Sequence, residues 1–176
     1  MNKMTTRKLT LAGLFIALGL LMPFFIGQIP NLGQRLLPMH IPVLICGYVT
    51  GWPVGLVVGF ITPLLRSVLF GMPPMYPNAV VMAFELAAYG FATGLFNKIL
   101  PKKIGFTYVT LIISMLCGRI VWGLVSYILY TFGDSPFTFQ LFMAGAFINA
   151  LPGIILQLVV IPAIVIALRK ARLVEE

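Results

Sequence analysis

Long apolar runs alternate with short polar or proline-bearing interruptions along the whole chain. The first run is Leu9–Gly27, with Pro23 near its end, and the polar stretch Gln28–Pro38 follows it. The second run, Met39–Thr50, is short, because a helix needs about 20 apolar residues to cross a bilayer. It crosses only if protein covers its ends. Gly51-Trp52-Pro53 breaks it as a tight turn, and a third run extends from Val54 to about Gly71. Met72-Pro73-Pro74-Met75-Tyr76-Pro77 reads as a stiff loop, since proline lacks an amide donor and cannot continue a helix interior. The fourth run is Asn78–Phe96, and Asn97 to Lys103 forms a basic turn. The fifth is Ile104–Tyr130, the polar stretch 131–136 carries Asp134, and the sixth is Phe137–Leu168. The pattern predicts an all-α integral membrane protein, a bundle of six transmembrane helices forming one domain over 1–176.

Composition agrees with the pattern. Hydrophobic residues make up 60% of the chain and charged residues 9%, against roughly 25% charged in soluble domains. A soluble fold would have little with which to cover its surface, whereas lipid tails solvate apolar side chains directly. The net charge of +8 does not point to nucleic acid, because the basic residues sit at the ends of apolar runs rather than in a stripe. Cys46 and Cys117 lie inside apolar runs and read as small hydrophobes. The lone histidine, His40, excludes a His-rich metal site. A basic start before an apolar run could be a signal peptide. Leu9–Gly27 is long, however, and ends in Gly-Gln-Ile-Pro rather than in a small-residue cleavage site, so it reads as the first span.

The basic residues also set an orientation. Lys3, Arg7 and Lys8 precede the first run. Lys98, Lys102 and Lys103 lie between the fourth and fifth, and Arg169, Lys170 and Arg172 follow the sixth. With six crossings these groups share one side and hold nine of the twelve basic residues. The positive-inside rule makes that side cytoplasmic, giving N-in and C-in. The outer connections are then the longer ones, rich in Pro, Gly, aromatics and amides. Irregular backbone at membrane depth persists where it packs on protein or lines a cavity, so the outer side is the expected place for a pocket.

Arg66, Glu85 and Arg119 lie within apolar runs. A charge at the bilayer centre costs roughly 2.5–3.5 kcal/mol on insertion scales, so such residues face inward and find partners. Counting from the run ends places Arg66 and Glu85 at similar depth, where they could pair. One reading is a buried ion pair that pins two helices. The other is that two arginines against one acid leave a surplus positive charge suited to an anionic ligand, since a guanidinium binds a carboxylate bidentately. Asn78, Met82, Glu85 and Tyr89 share one face of the fourth helix, and Arg119, Trp122, Ser126 and Tyr130 one face of the fifth. Asn149 is the main polar residue in the outer half of the sixth. Taken one by one, these are ordinary interhelical hydrogen-bonding groups. Together they match a small-molecule site of apolar walls and a few polar heads. His40, at the outer start of the second helix, reads as capping or solvated. Arg35 is either solvated or reaches into the pocket from its rim.

Small residues four apart mark close helix approach: Gly13 and Ala17, Gly55 and Gly59, Gly90 and Gly94. Internal packing explains any of them. For Gly13 and Ala17, near the basic end, docking of a partner protein is the sharper reading. The sequence contains no phosphate loop, no ATPase signature and no His-Glu-x-x-His motif. No nucleophile set is available for an enzyme. The paired repeats of many stand-alone transporters are also missing, so moving a solute would require an energy-supplying partner.

The stretches Leu37-Pro38-Met39-His40-Ile41-Pro42-Val43-Leu44, Pro63-Leu64-Leu65-Arg66-Ser67 and Phe70-Gly71-Met72-Pro73-Pro74 resemble the substrate-binding S components of energy-coupling factor (ECF) vitamin transporters. The resemblance covers nearly the whole chain and looks like the branch with pantothenate, folate and cobalamin carriers. It implies capture of a vitamin from outside by a protein of the bacterial plasma membrane. It also implies docking on a transmembrane coupling subunit that bears two cytoplasmic ATPases. ATP is used by those partners, and no cofactor is implied in this chain. The family's first-helix Ala-xxx-Ala reads Gly13-xxx-Ala17 here. Its pocket, in the outer half, maps onto Asn31, Arg35, Tyr76, Asn78, Glu85, Arg119, Trp122 and Asn149, and Arg66 joins them as one of the two arginines set against a single acid. Pantothenate is the first expectation and cobalamin the runner-up, with folate or another vitamin also open. A non-transport structural or assembly protein is the alternative of another class.

Overall fold

The computed structural model describes residues 6–27, 29, 34–131, 137–171 and 174. Among these there is no strand. The long helices are α1 (Thr6–Ile26), α2 (His40–Thr50), α3 (Trp52–Phe70), α4 (Val80–Ile99), α5 (Ile104–Thr131) and, after the short α6 (Phe139–Met143), α7 (Leu151–Lys170). Five spans among the described residues are long and apolar enough to cross a membrane, namely α1, α3, Met75–Ile99, α5 and Phe139–Lys170.

The exception is α2, and its position explains how it can be short. Eleven residues rise about 16 Å, roughly half a hydrocarbon core. Every one of them is buried. Packed against α1, α3, α4 and α7, α2 forms the centre of the bundle, so protein rather than lipid meets its ends. A helix apolar on all faces is the sequence form of such a core. It joins α3 through one residue, Gly51, at φ 86° and ψ 172°, a conformation open to glycine alone.

The seam between α3 and α4 brings backbone against backbone. A Cβ at Gly55 would lie 2.4 Å from the Gly90 carbonyl oxygen, and one at Gly90 would lie 2.1 Å from that of Gly55. Gly59 meets the Leu86 carbonyl and Gly94 the Trp52 backbone in the same way. These two small-residue pairs therefore serve internal packing. Gly13 differs: a Cβ there would meet nothing within 4 Å. Gly13 and Ala17 lie on the exposed side of α1.

The proline-rich segment breaks the chain as expected: Tyr76 stands at φ −118° and ψ 135°, and α4 begins at Val80. The sixth run departs from the sequence pattern, because it is not continuous. Asn149 N–H donates to the Ala144 carbonyl at 2.8 Å in an i→i+5 turn, and Pro152, lacking a donor, stands at the start of α7. Such wide turns are frequent at functional sites.

The ends of the bundle differ. At the end carrying Lys98, Lys102 and Lys103, a polar clamp ties four helices. Tyr48 of α2 donates to the Thr107 carbonyl of α5 at 2.8 Å. Arg169 of α7 donates to Thr107 Oγ1 at 2.8 Å and to Asn97 Oδ1 of α4 at 2.7 Å. The sequence showed Arg169 only as an orientation charge and Asn97 only as part of a turn. The opposite end is hollow.

Candidate functional site

The hollow end holds a cavity of about 1000 Å³, at the upper end of the usual range for small-molecule sites, roughly 300–1,000 Å³. It lies where α1, α3 and α5 finish and where α2 and α4 begin, and α6 with the turn before α7 closes the remaining side. Its polar heads include His40, Arg66, Asn78, Ser126, Tyr130 and Asn149. Aromatic rings supply much of the remainder. Trp122 lies against Phe137 at 5.6 Å and stacks on Phe142 at 6.1 Å. Gly145 makes room for that indole, because a Cβ there would come within 2.6 Å of it. Across the rim, Tyr130 donates to Asn78 Oδ1 at 3.3 Å.

The two arginines in the apolar runs have different fates. Arg119 donates to Glu85 at 2.9 Å, and Glu85 is 2% exposed. The pairing of Glu85 with Arg66 expected from depth alone is therefore corrected. Depth sets the level of a charge along the helix axis, but helix rotation selects its partner. Rotation places Glu85 on the α4 face that meets α5, and the two helices pack extensively. Arg66 has no carboxylate partner among the described residues, of which Glu85 is the one acid. It sits on the cavity wall, 8% exposed. Its Nη1 donates to the Leu20 carbonyl of α1. Its guanidinium lies over the rings of Phe24 (4.6 Å) and Phe70 (5.5 Å), which contact one another edge to face. Cation–π contact and a carbonyl soften the desolvation of this charge without neutralising it.

His40 is not solvated, as its place at the start of a helix suggested. It is 2% exposed, lines the cavity and turns Nε2 toward Glu85 Oε1 at 3.4 Å. Tyr89 lies edge-on at 5.3 Å. Neither ring nitrogen has an aligned hydrogen-bond partner. The signal in the sequence was the run around it, apolar on every face and so buried on every face.

Of the residues singled out in the sequence, Arg66, Asn78, Trp122 and Asn149 meet at the cavity. Arg35, exposed on a short turn over Gln34–Leu36, lines an adjoining recess of about 360 Å³ with Leu37 and Asn149. Glu85 and Arg119 stand behind the wall, reached through His40. Tyr76 is 63% exposed, and its hydroxyl donates to the Leu129 carbonyl at 3.3 Å, away from the cavity lining. Asn31 lies outside the described residues. Phe24 and Phe70, which flank Arg66, carried no signal distinguishing them from lipid-facing aromatics.

Fold and site thus define a class: a helical protein of apolar spans with a cavity at one end shaped for a small organic ligand. The model of the family described as "ECF transporter, substrate-specific component" matches residues 7–165, and the chain belongs to that family. It is a multi-pass membrane protein, the substrate-binding subunit of an ECF importer, a transporter component and not an enzyme. Subunits of this family bind a substrate and associate with the ECF module. No curated protein and no solved structure matches the chain significantly.

Proposed function

We propose that the cavity captures a small carboxylate-bearing vitamin, with pantothenate as the first candidate, and that Arg66 receives its carboxylate. One observation carries this reading: a buried guanidinium on the cavity wall with no carboxylate partner among the described residues. An anionic ligand would supply the missing charge, while Asn78, Ser126, Tyr130 and Asn149 suit hydroxyls and amides. The proposed topology has six crossings, N-in and C-in, in a bacterial plasma membrane. The cavity then opens outward and the basic end faces the cytoplasm. Gly13 and Ala17, on the exposed face of α1, are proposed to dock on a transmembrane coupling subunit bearing two ATPases.

Titration of the purified protein with a vitamin panel tests the ligand. Pantothenate binding at micromolar concentration is expected, and its absence removes pantothenate. Cobalamin stays in the panel because the cavity is wide. Replacing Arg66 by Met would weaken a carboxylate ligand and spare one bound by shape and amide contacts, which separates the two. For docking, Gly13→Leu or Ala17→Leu is expected to abolish co-purification of the coupling subunit and ATPases while ligand affinity holds. A collapse of ligand affinity instead would defeat the docking assignment. A wild-type chain that brings down no such subunits would defeat the docking partner proposed here.

A further inference from the structure

Arg66 touches two things at once: the cavity and the backbone of α1. The contact to α1 is at Leu20, immediately after a point where α1 packs closely on α3. There, a Cβ at Gly19 would lie 2.6 Å from the Thr62 methyl carbon. Leu20 is also three residues before Pro23, which has no amide to give back to the helix. Past Leu20, α1 is held to α3 by Phe24 against Phe70 at 4.9 Å, and those same rings flank the guanidinium. Apart from Phe15, which sits in the core, α1 is mostly peripheral: only 11% of its span is buried, the lowest share of the five long spans. The same helix displays Gly13 and Ala17 on its exposed side.

We propose that Arg66 is a clasp that couples occupancy of the cavity to the rigidity of α1. Nη1 stays on the Leu20 carbonyl while the other guanidinium edge takes the ligand's carboxylate. A guanidinium has five donors in a fixed plane, so both contacts are available at once. Without ligand, the group is held from the α1 side and pivots on one hydrogen bond. With ligand, it is held from both sides, and the α1 segment from Leu20 to Ile26 loses freedom. The binding event is thereby registered on the helix that bears the exposed small-residue face. This coupling rests on the proposed anionic ligand, but the clasp between Arg66 and α1 does not.

Amide hydrogen exchange of the purified full chain separates the two. In the absence of ligand, Arg66→Met is expected to speed exchange of the 20–26 amides by about tenfold, the change that follows from losing one charge-assisted hydrogen bond. Exchange in α4 and α5 should be unchanged, which certifies the fold. Arg66→Lys retains the charge but not the planar fork, and should fall between Met and wild type. Unaltered exchange at 20–26 in both variants overturns the clasp. Pantothenate, added as the probe, should slow the same amides in wild type and leave them unaffected in Arg66→Met. Bound pantothenate that slows other segments but not 20–26 overturns the coupling. If pantothenate does not bind at all, the ligand assignment fails, and the variants alone still decide whether Arg66 holds α1.

Discussion

Arg66 and Arg119 are the same residue type in the two apolar helices that pack on either side of α4, and they do opposite things. Arg119 is 6% exposed, paired with Glu85 and kept behind the cavity wall. Arg66 is 8% exposed, faces a carbonyl and two rings, and stands on the wall itself. The first charge is neutralised within the bundle, so it holds helices together. The second is only softened, so it remains available to something that enters. A buried charge is thus structural or functional according to its complement, not its position.

The largest effect is expected at the structural pair. Glu85→Ala leaves the Arg119 charge buried without its acid, and removing one partner of a buried pair costs about 3–5 kcal/mol. Denaturation of the detergent-solubilised protein should show a loss on that scale. An unchanged transition would mean that the pair holds nothing. Ligand affinity is expected to respond next. Arg66→Met should reduce binding of an anionic ligand by about 10- to 100-fold, since hydrogen bonds to charged groups contribute roughly 1.5–3 kcal/mol. Global unfolding should move little, because an uncompensated charge is being removed. If Arg66→Met unfolds the protein while ligand affinity survives, the roles of the two arginines have been reversed.

Smaller again is the residue of a double replacement. Glu85→Leu with Arg119→Met removes both charges together and should return stability to within about 1–2 kcal/mol of wild type, the pair being no better than apolar packing of similar volume. A double variant as damaged as Glu85→Ala would show that His40 depends on the pair as well. The smallest effect is expected for Asn149→Ala on the cavity rim. Loss of one neutral hydrogen bond, about 0.5–1.5 kcal/mol, corresponds to roughly a 2- to 13-fold fall in ligand affinity. That change should be independent of the one at Arg66.

Much of the scaffold was readable along the chain, because crossing a membrane leaves few options. Apolar runs, proline breaks and basic flanks follow from the cost of unpaired backbone in lipid, and each of the first five helices lies where its run does. The family was legible from short stretches around His40, Arg66 and Phe70. Three features were not legible, each because it depends on how helices rotate and lean against one another. Glu85 and Arg66 share a level but not a face. His40 stands at a helix start, but that helix is central. Gly13 and Gly55 begin the same small-xxx-small spacing, and only Gly55 has a helix against it.

The sequence by itself determined that this chain is a bundle of apolar helices with few charges inside it, because hydropathy and helix length are properties of single segments. It also marked the surplus of arginine over acid, which is a matter of counting. Which arginine is the surplus one was decided by the tertiary structure alone. A carboxylate 2% exposed in a helix bundle can neutralise only the cation that packing brings to 2.9 Å, and packing is a property of pairs of helices.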